Sequence, residues 1–352
     1  MPQIHTAGES ITAIAPCRVD LAGGTLDIWP LYLFHSGAVT VNFAVNILTR
    51  CRIAPLPGTR IELKSLDTGK SESFRGLEEL CSAKKFAHPL AAQLVRFFAP
   101  QGGFSLETHS ESPAGAGISG SSALMVATSA ALASFTGREL SLEEIRVIAQ
   151  NVEAQLIRVP TGCQDYYPAL YGGVSAIHLE ADGIHRQAIT VAAEEIDSRF
   201  VLAYSGAPRQ SGINNWKVFK AHIDGDKKVF RNFEQIAAIA RALHEALSNA
   251  DWDGVAVLLR QEWKLRKTNA PRITTPLIEK LIRAATKSGA RAAKVCGAGG
   301  GGCVVFFGDP DAKQRIEDSI RAAGGTVLPC RVAREGLALS DSASAAGQLA
   351  SK

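Results

Sequence analysis

Between Val45 and Ile53, apolar or β-branched residues hold every second position (Val45, Ile47, Thr49, Cys51, Ile53), the period of a strand with one buried face. The first fifty or so residues as a whole carry this β-like pattern, and "GGFSLETHS" further on reads as another strand. The rhythm then changes. The small-residue stretch "SPAGAGISGSS" (112–122) leads into "ALMVATSAALASF", an apolar run without a polar face that predicts a buried helix. The next helix, "SLEEIRVIAQNVEAQLIR", opens with a capping box from Ser141 to Glu144 and stops before Pro160.

From Phe200 the order becomes a strand, "FVLAYSG", then two long amphipathic helices over about 229–248 and 251–267, broken at "SNADWD". A further helix starts at Thr275 and Pro276, an N-cap followed by an N1 proline, and ends by Gly289. Strand "ARAAKVCGAG", a glycine loop, strand "GCVVFFG", a helix over about 311–323 and strand "TVLPCRVA" follow, an α+β arrangement. The shift in pattern places a first domain at 1–190 and a second at 191–340, with 341–352 a frayed, low-complexity tail.

A chain of 352 residues, 46% hydrophobic and 20% charged, has the length of two globular domains. A formal net charge of +4 without a basic stripe argues against a nucleic-acid partner, and no apolar run reaches the length of a membrane span. The amino terminus lacks the charged and apolar regions of a signal peptide, and seven scattered cysteines without a C-x-x-C pair fit reduced thiols, so a cytoplasmic protein is expected.

Gly115, Gly117 and Gly120 satisfy G-x-G-x-x-G, the dinucleotide fingerprint, and so do Gly297, Gly299 and Gly302. A dinucleotide site also requires an acid ending a second strand about 20 residues later. The nearby acid is Glu139, which leads into a capped helix instead. A P-loop fails for want of its Lys. Two readings stay open: a helix N-terminus that takes the phosphates of a nucleoside triphosphate, or a loop kept small so that the alanine-rich helix packs closely.

Three ordered blocks narrow the choice. "APCRVDLAGGTLD" (15–27), "PAGAGISGSSAL" (113–124) and "KVCGAGGGGC" (294–303) resemble the three motifs of the GHMP kinases, the superfamily of galactokinase, homoserine kinase, mevalonate kinase and the heptose phosphate kinases. The resemblance covers roughly residues 10–335. It implies a two-domain α+β fold with a ribosomal S5 domain 2-like N-terminal domain, a ferredoxin-like C-terminal domain and the active site between them. It implies ATP bound by Pro113, Gly115, Gly117, Ser119, Gly120, Ser121 and Ser122. It also implies Mg²⁺ on Glu153 and a loop serine, Ser121 or Ser122, of which Ser121 is taken here. Asp165, twelve residues beyond Glu153, is implied at the transferred hydroxyl with Arg18 beside it, and Asp27 at the hydroxyls of a sugar. Gly23, Gly24, Gly162, Gly299 and Gly300 are expected along the substrate, and the run Gly297–Gly302 is expected to approach the phosphates or substrate.

The chemistry is coherent. Phosphoryl transfer through a loose transition state asks for positioning and charge more than for a strong base, so a carboxylate held by an arginine suffices. The expected partner is a small-molecule sugar or sugar phosphate, with transfer to the anomeric oxygen, because the loop resembles that of glucuronate kinases and the other two blocks those of heptose 7-phosphate and fucose kinases. Rival readings are a kinase of a non-sugar alcohol such as mevalonate or homoserine, and a sugar-binding relative without catalysis. The stretches "SGINNWKV" (211–218) and "EWKLRK" (262–267) could face the substrate, although Trp216 and Trp263 suit helix packing better, and His88 before Pro89 suits a helix start.

Overall fold

The computed structural model describes residues 10–207, 213–269 and 271–341. The expected tail beyond Asp341, the amino-terminal residues 1–9 and the start of "SGINNWKV" lie outside them.

Two β-sheets organise the chain, as the α+β reading expects. The larger contains β1 (Ile11–Ala22), β2 (Val39–Leu56), β3 (Ile61–Ser65), β4 (Ser71–Phe74), β5 (Gly103–Ser110), β6 (Val174–Leu179) and β7 (Ile184–Ala188). The smaller contains β8 (Phe200–Tyr204), β9 (Ala290–Val295), β10 (Cys303–Gly308) and β11 (Thr326–Leu328). A last strand, β12 (Ala338–Asp341), returns to the larger sheet and pairs with β1, Ile11 opposite Asp341. In sequence, the sheets change over between Ala188 and Phe200, and β12 belongs to the first sheet although it follows the second.

The 18-residue β2 is the spine of the larger sheet. Its alternation has the foreseen consequence: Val45, Ile47, Thr49, Cys51 and Ile53 are buried, while Asn46, Arg50 and Arg52 are exposed. One side of β2 pairs with β1; the other pairs first with β6 and then with β5. The gap between β6 and β5 is filled from the far end of the chain. Asn46 N donates to Arg331 O at 2.9 Å, and Ala333 N donates to Ala44 O at 3.0 Å. Buried backbone groups need partners, and here the C-terminal segment supplies them.

The helix Gly120–Phe135 packs on β1 and β2, with the helices Pro89–Phe98 and Leu142–Ile157 against it. Its alanines let it lie close to the sheet, and the absence of a polar face matches its burial. His88 stands at the N-cap of the helix opened by Pro89, the place its sequence suggests. The smaller sheet runs β11-β8-β10-β9, antiparallel throughout. Counted within the sheet this is 4-1-3-2, the order of a ferredoxin-like βαββαβ unit. A stair of aromatic rings joins the sheets: Phe43 of β2, Phe200 of β8 and Phe307 of β10, with centroids 5.6 and 5.0 Å apart.

"TVLPCRVA" is strand only over Thr326–Leu328, because its remainder leaves the smaller sheet to meet β2. Among the described residues, no helix is long and apolar enough to cross a membrane.

The helix Leu142–Ile157 carries Glu153, and its start is fixed by the expected capping box. Glu144 N donates to Ser141 Oγ at 3.2 Å, and Ser141 N donates to Glu144 Oε2 at 2.8 Å. Ser141→Ala should therefore lower the unfolding free energy by about 1 kcal/mol. Urea unfolding of the two proteins measures this; identical midpoints would mean that the box contributes nothing.

Candidate active site

Arg18 lies on β1 with 2% of its side chain exposed. Its Nε and Nη2 donate to Asp165 Oδ1 at 2.8 and 2.6 Å, and its Nη1 donates to Gly117 O at 2.8 Å and Asp20 Oδ1 at 3.2 Å. The backbone follows suit, Arg18 N donating to Ile118 O at 3.0 Å. One residue thus ties the glycine loop of 112–122 to the carboxylate of Asp165. Burial opposes the charge of Arg18, but Asp165 and Asp20 outweigh it and hold the guanidinium protonated. Asp165 is the exposed partner, 24% against 2%, and both contacts fall on Oδ1.

Behind Arg18 sits Asp20, fully buried. It accepts from Lys294 Nζ at 2.8 Å and from the backbone N–H of Gly297 at 2.8 Å, and Arg266 Nη1 stands 3.9 Å away. Burial alone would push this carboxyl up; Lys294, Arg18 and Arg266 reverse the sign and hold it far below the usual carboxylate range. Glu262 completes the cluster, 3.6 Å from both Lys294 and Arg266. Burial pushes the Glu262 carboxyl up.

The loop itself reaches the helix Gly120–Phe135 through Ser119, whose φ of 59° is left-handed. That conformation is uncommon for a residue with a side chain and marks a constrained turn. No side chain caps this helix N-terminus, so its first N–H groups are left to the cavity. The second glycine run packs against the loop: Cys303 N donates to Ala116 O at 2.7 Å, and a Cβ on Gly302 would stand 2.5 Å from that same oxygen.

Glu153 is buried and surrounded by hydroxyls. Ser121 Oγ donates to its Oε1 at 2.7 Å, and Ser122 Oγ and Tyr166 Oη donate to its Oε2 at 2.8 and 2.6 Å. Burial raises its pKa, only partly offset by these hydrogen bonds, and Asp165 adds negative charge nearby. A carboxylate with three neutral donors in a negative setting fits a hard divalent cation, because the charge lacking there is positive and the donors are oxygen. Ser121 is exposed to the cavity and Ser122 is buried.

Asp27 is 3% exposed. Its Oδ2 accepts from Gln164 N at 2.9 Å and its Oδ1 from Thr25 N at 3.1 Å, so the glycine turn of β1 and the 159–165 loop meet on one carboxylate. A Cβ on Gly162 would stand 1.9 Å from Asp27 Oδ2, and only glycine leaves that approach open. Burial raises Asp27 to about 6.

These groups line one cavity of about 430 Å³, a size suited to a small-molecule ligand. Of the residues expected from sequence, Arg18, Gly24, Asp27, Pro113, Gly115, Gly117, Ser119, Gly120, Ser121, Ser122, Glu153, Gly162 and Asp165 line it. Gly23, Gly299 and Gly300 do not, against expectation. Gly23 turns the chain against β2, where a Cβ would stand 2.1 Å from Val39 O. Gly299 abuts Ile273, and Gly300 N donates to Ile273 O at 2.7 Å; Gly297 and Ala298 are the ones that reach the cavity. In the two tryptophan stretches, Trp263 is buried in the core of the smaller sheet and Trp216 stacks on Phe219. Arg266 is what reaches the cavity from "EWKLRK".

Sequence reasoning missed Asp20, Gln164 and Lys294, and it named the stretch 262–267 without singling out Glu262 or Arg266. A signal existed for Lys294, a lysine inside the otherwise apolar strand "ARAAKV". It also missed the apolar end of the cavity, Leu90, Leu124, Leu156 and Ile157, gathered from three successive helices.

Comparison with known proteins bears on the family and the fold. The GHMP kinases N terminal domain matches residues 83–173, and the GHMP kinases C terminal domain matches residues 238–326. The D-glycero-alpha-D-manno-heptose 7-phosphate kinase of Campylobacter jejuni is 27% identical over 94% of this chain and 98% of its own. The mevalonate kinase of Pyrococcus furiosus is 26% identical over 68% of this chain and 70% of its own. The crystal structure of a D-glycero-D-manno-heptose 1-phosphate kinase from Bacteroides thetaiotaomicron superposes with a TM-score of 0.74 at 22% identity, covering 94% of this chain and 98% of that one.

The raised pKa of Asp27 has a measurable sign. An acid that holds its proton more tightly in the native state favours folding below the ordinary carboxylate range and loses that contribution as pH climbs through about 6. Relative to Asp27→Asn, the wild-type protein should therefore lose about 2 kcal/mol between about pH 4 and pH 7. Denaturant unfolding of both proteins across that range cancels the other titrating groups. A difference that is flat with pH, or that changes in the opposite sense, would contradict a buried, destabilised Asp27 carboxylate.

Proposed function

From the premise that this chain belongs to the GHMP kinases, we propose that it transfers the γ-phosphoryl group of ATP to the anomeric hydroxyl of a sugar or sugar phosphate. The product is a sugar 1-phosphate, and a heptose 7-phosphate giving the 1,7-bisphosphate is the acceptor we favour. The observation that carries this reading is the Arg18–Asp165 pair, fixed to the glycine loop at Gly117 and opening into the cavity that Asp27 closes.

Bound ATP with Mg²⁺ supplies the phosphoryl group and neutralises its charge. The chain's own residues do the rest by position. The uncapped N–H groups at Gly120 and beyond, with the close backbone of Gly115 and Gly117, receive the phosphates. Ser121 and Glu153 hold the metal, Ser121 being the hydroxyl that faces the cavity. Leu90, Leu124, Leu156 and Ile157 enclose the apolar base. Arg18 grips Asp165 through Oδ1, which leaves Oδ2 to accept the hydrogen bond of the acceptor hydroxyl and, late in the transfer, its proton.

A kinase of a non-sugar alcohol is the second reading, since mevalonate kinases are among the relatives. Asp27 argues for the sugar: a buried carboxylate accepts hydroxyl protons, whereas the carboxylate of mevalonate would meet a like charge there. A binding protein without catalysis is disfavoured by Arg18, Asp165 and Glu153 all lining one cavity.

Asp165→Asn should leave ATP affinity nearly unchanged and reduce kcat by at least about a hundredfold, because it removes proton acceptance at constant shape. Turnover close to wild type would remove Asp165 from the reaction. The position of transfer is read from the product. Borohydride followed by mass measurement should leave the product unchanged, since only a free reducing end gains two hydrogens; a reduced product would place the phosphate elsewhere on the sugar.

A further inference from the structure

Two polar atoms at the acceptor end of the cavity are buried without a hydrogen-bond partner: Arg266 Nη1 and Gln164 Oε1. Both residues are 6% exposed and both line the cavity. The rest of each side chain is anchored. Arg266 Nη2 donates to Gly297 O at 2.8 Å, while Gln164 turns its Nε2 toward Asp27 Oδ1 at 3.4 Å and gives its backbone N–H to Asp27 Oδ2. Leaving such groups unsatisfied is costly, most of all for a guanidinium, and folded proteins keep few of them.

The two side chains meet at Gly24. A Cβ there would stand 2.7 Å from Arg266 Nη1 and 3.0 Å from Gln164 Nε2. Gly24 is absent from the residues with left-handed φ, so its backbone does not demand glycine; the space beside those two side chains does.

On the reading given under Proposed function, we propose that Arg266 and Gln164 form a donor–acceptor pair that binds two hydroxyls of the acceptor sugar and selects their stereochemistry. Arg266 donates to one hydroxyl oxygen, and Gln164 Oε1 accepts the hydrogen of another. Gln164 adjoins Asp165 in sequence, and Arg266 connects to Asp165 through Asp20 and Arg18, so the pair lies beside the reacting hydroxyl. The ligand group is a neutral hydroxyl rather than a phosphate. Arg266 already faces Glu262 at 3.6 Å and Asp20 at 3.9 Å, so it has a spare N–H but no surplus charge.

The test begins with wild-type turnover of a panel: D-glycero-D-manno-heptose 7-phosphate, L-fucose, D-galactose and D-glucuronate. The best of these and its monodeoxy analogues are then compared across wild type, Arg266→Met and Gln164→Leu. Each variant should raise the sugar KM roughly 10- to 100-fold and leave the ATP KM unchanged. For the one analogue that lacks the contacted hydroxyl, the penalty of the matching variant should vanish. Gln164→Leu removes no charge from the buried cluster, so it decides the question if Arg266→Met fails to fold. A penalty that persists across every analogue, an ATP KM that rises in parallel, or an unchanged sugar KM would overturn the pair's role while leaving the kinase reading intact. No turnover of any sugar by wild type would instead overturn the sugar-kinase reading, and the pair's role with it.

Discussion

The site depends on one buried carboxylate. Asp20 has no exposed surface, and an ion of that kind is tolerable in a protein interior only when its charge and lone pairs are met. Arg18 on its own strand, Lys294 on β9, the N–H of Gly297 and Arg266 meet them. Removing one partner of such a cluster typically costs about 3–5 kcal/mol, so the arrangement is held tightly rather than sampled. Because Arg18 simultaneously grips Gly117 O and Asp165, the glycine loop of 112–122, the Asp165 carboxylate and, through Asp20, the smaller sheet share a single frame. Precise placement is what phosphoryl transfer requires of a protein.

The fold was legible wherever periodicity and local signals agreed. The alternation of β2, the capping box at Ser141, the Thr275–Pro276 helix start and the strands on either side of the glycine run all read directly from the chain. What did not read was short or completed by distant partners. β3 and β4 are brief and exposed at their edges, and the helix Tyr166–Tyr171 is only 6 residues long. Nothing local announces that β12 will pair with β1, or that Arg331–Ala333 will satisfy the backbone of β2, since those contacts span most of the chain.

The site divides in the same way. Arg18, Asp27, Glu153, Asp165 and the loop serines lie in stretches with a distinctive order of residue types, and the structure gathers them around one cavity. Gly23, Gly299 and Gly300 belong to those same stretches yet serve turns and close backbone packing, a distinction that glycine's identity alone cannot convey. The roles of two charged residues behind the cavity did not read for a different reason. Glu262 and Arg266 lie on an amphipathic helix, where charges ordinarily face water, and only the approach of β1 and β9 turns them into buried partners.

The segment from Arg331 to Asp341 changes how the molecule can be divided. The two family matches, 83–173 and 238–326, suggest two pieces that could be cut apart. Neither includes β1, β2 or the returning C-terminal segment. Yet that segment fills the gap on β2 and borders β1, the strand that carries Arg18 and Asp20. A fragment ending after β7 would leave Ala44 O and Asn46 N of β2 without these partners and the outer end of β1 as an open edge, the kind of surface that recruits other chains. The larger sheet is thus completed by residues 331–341, which follow the smaller sheet in sequence.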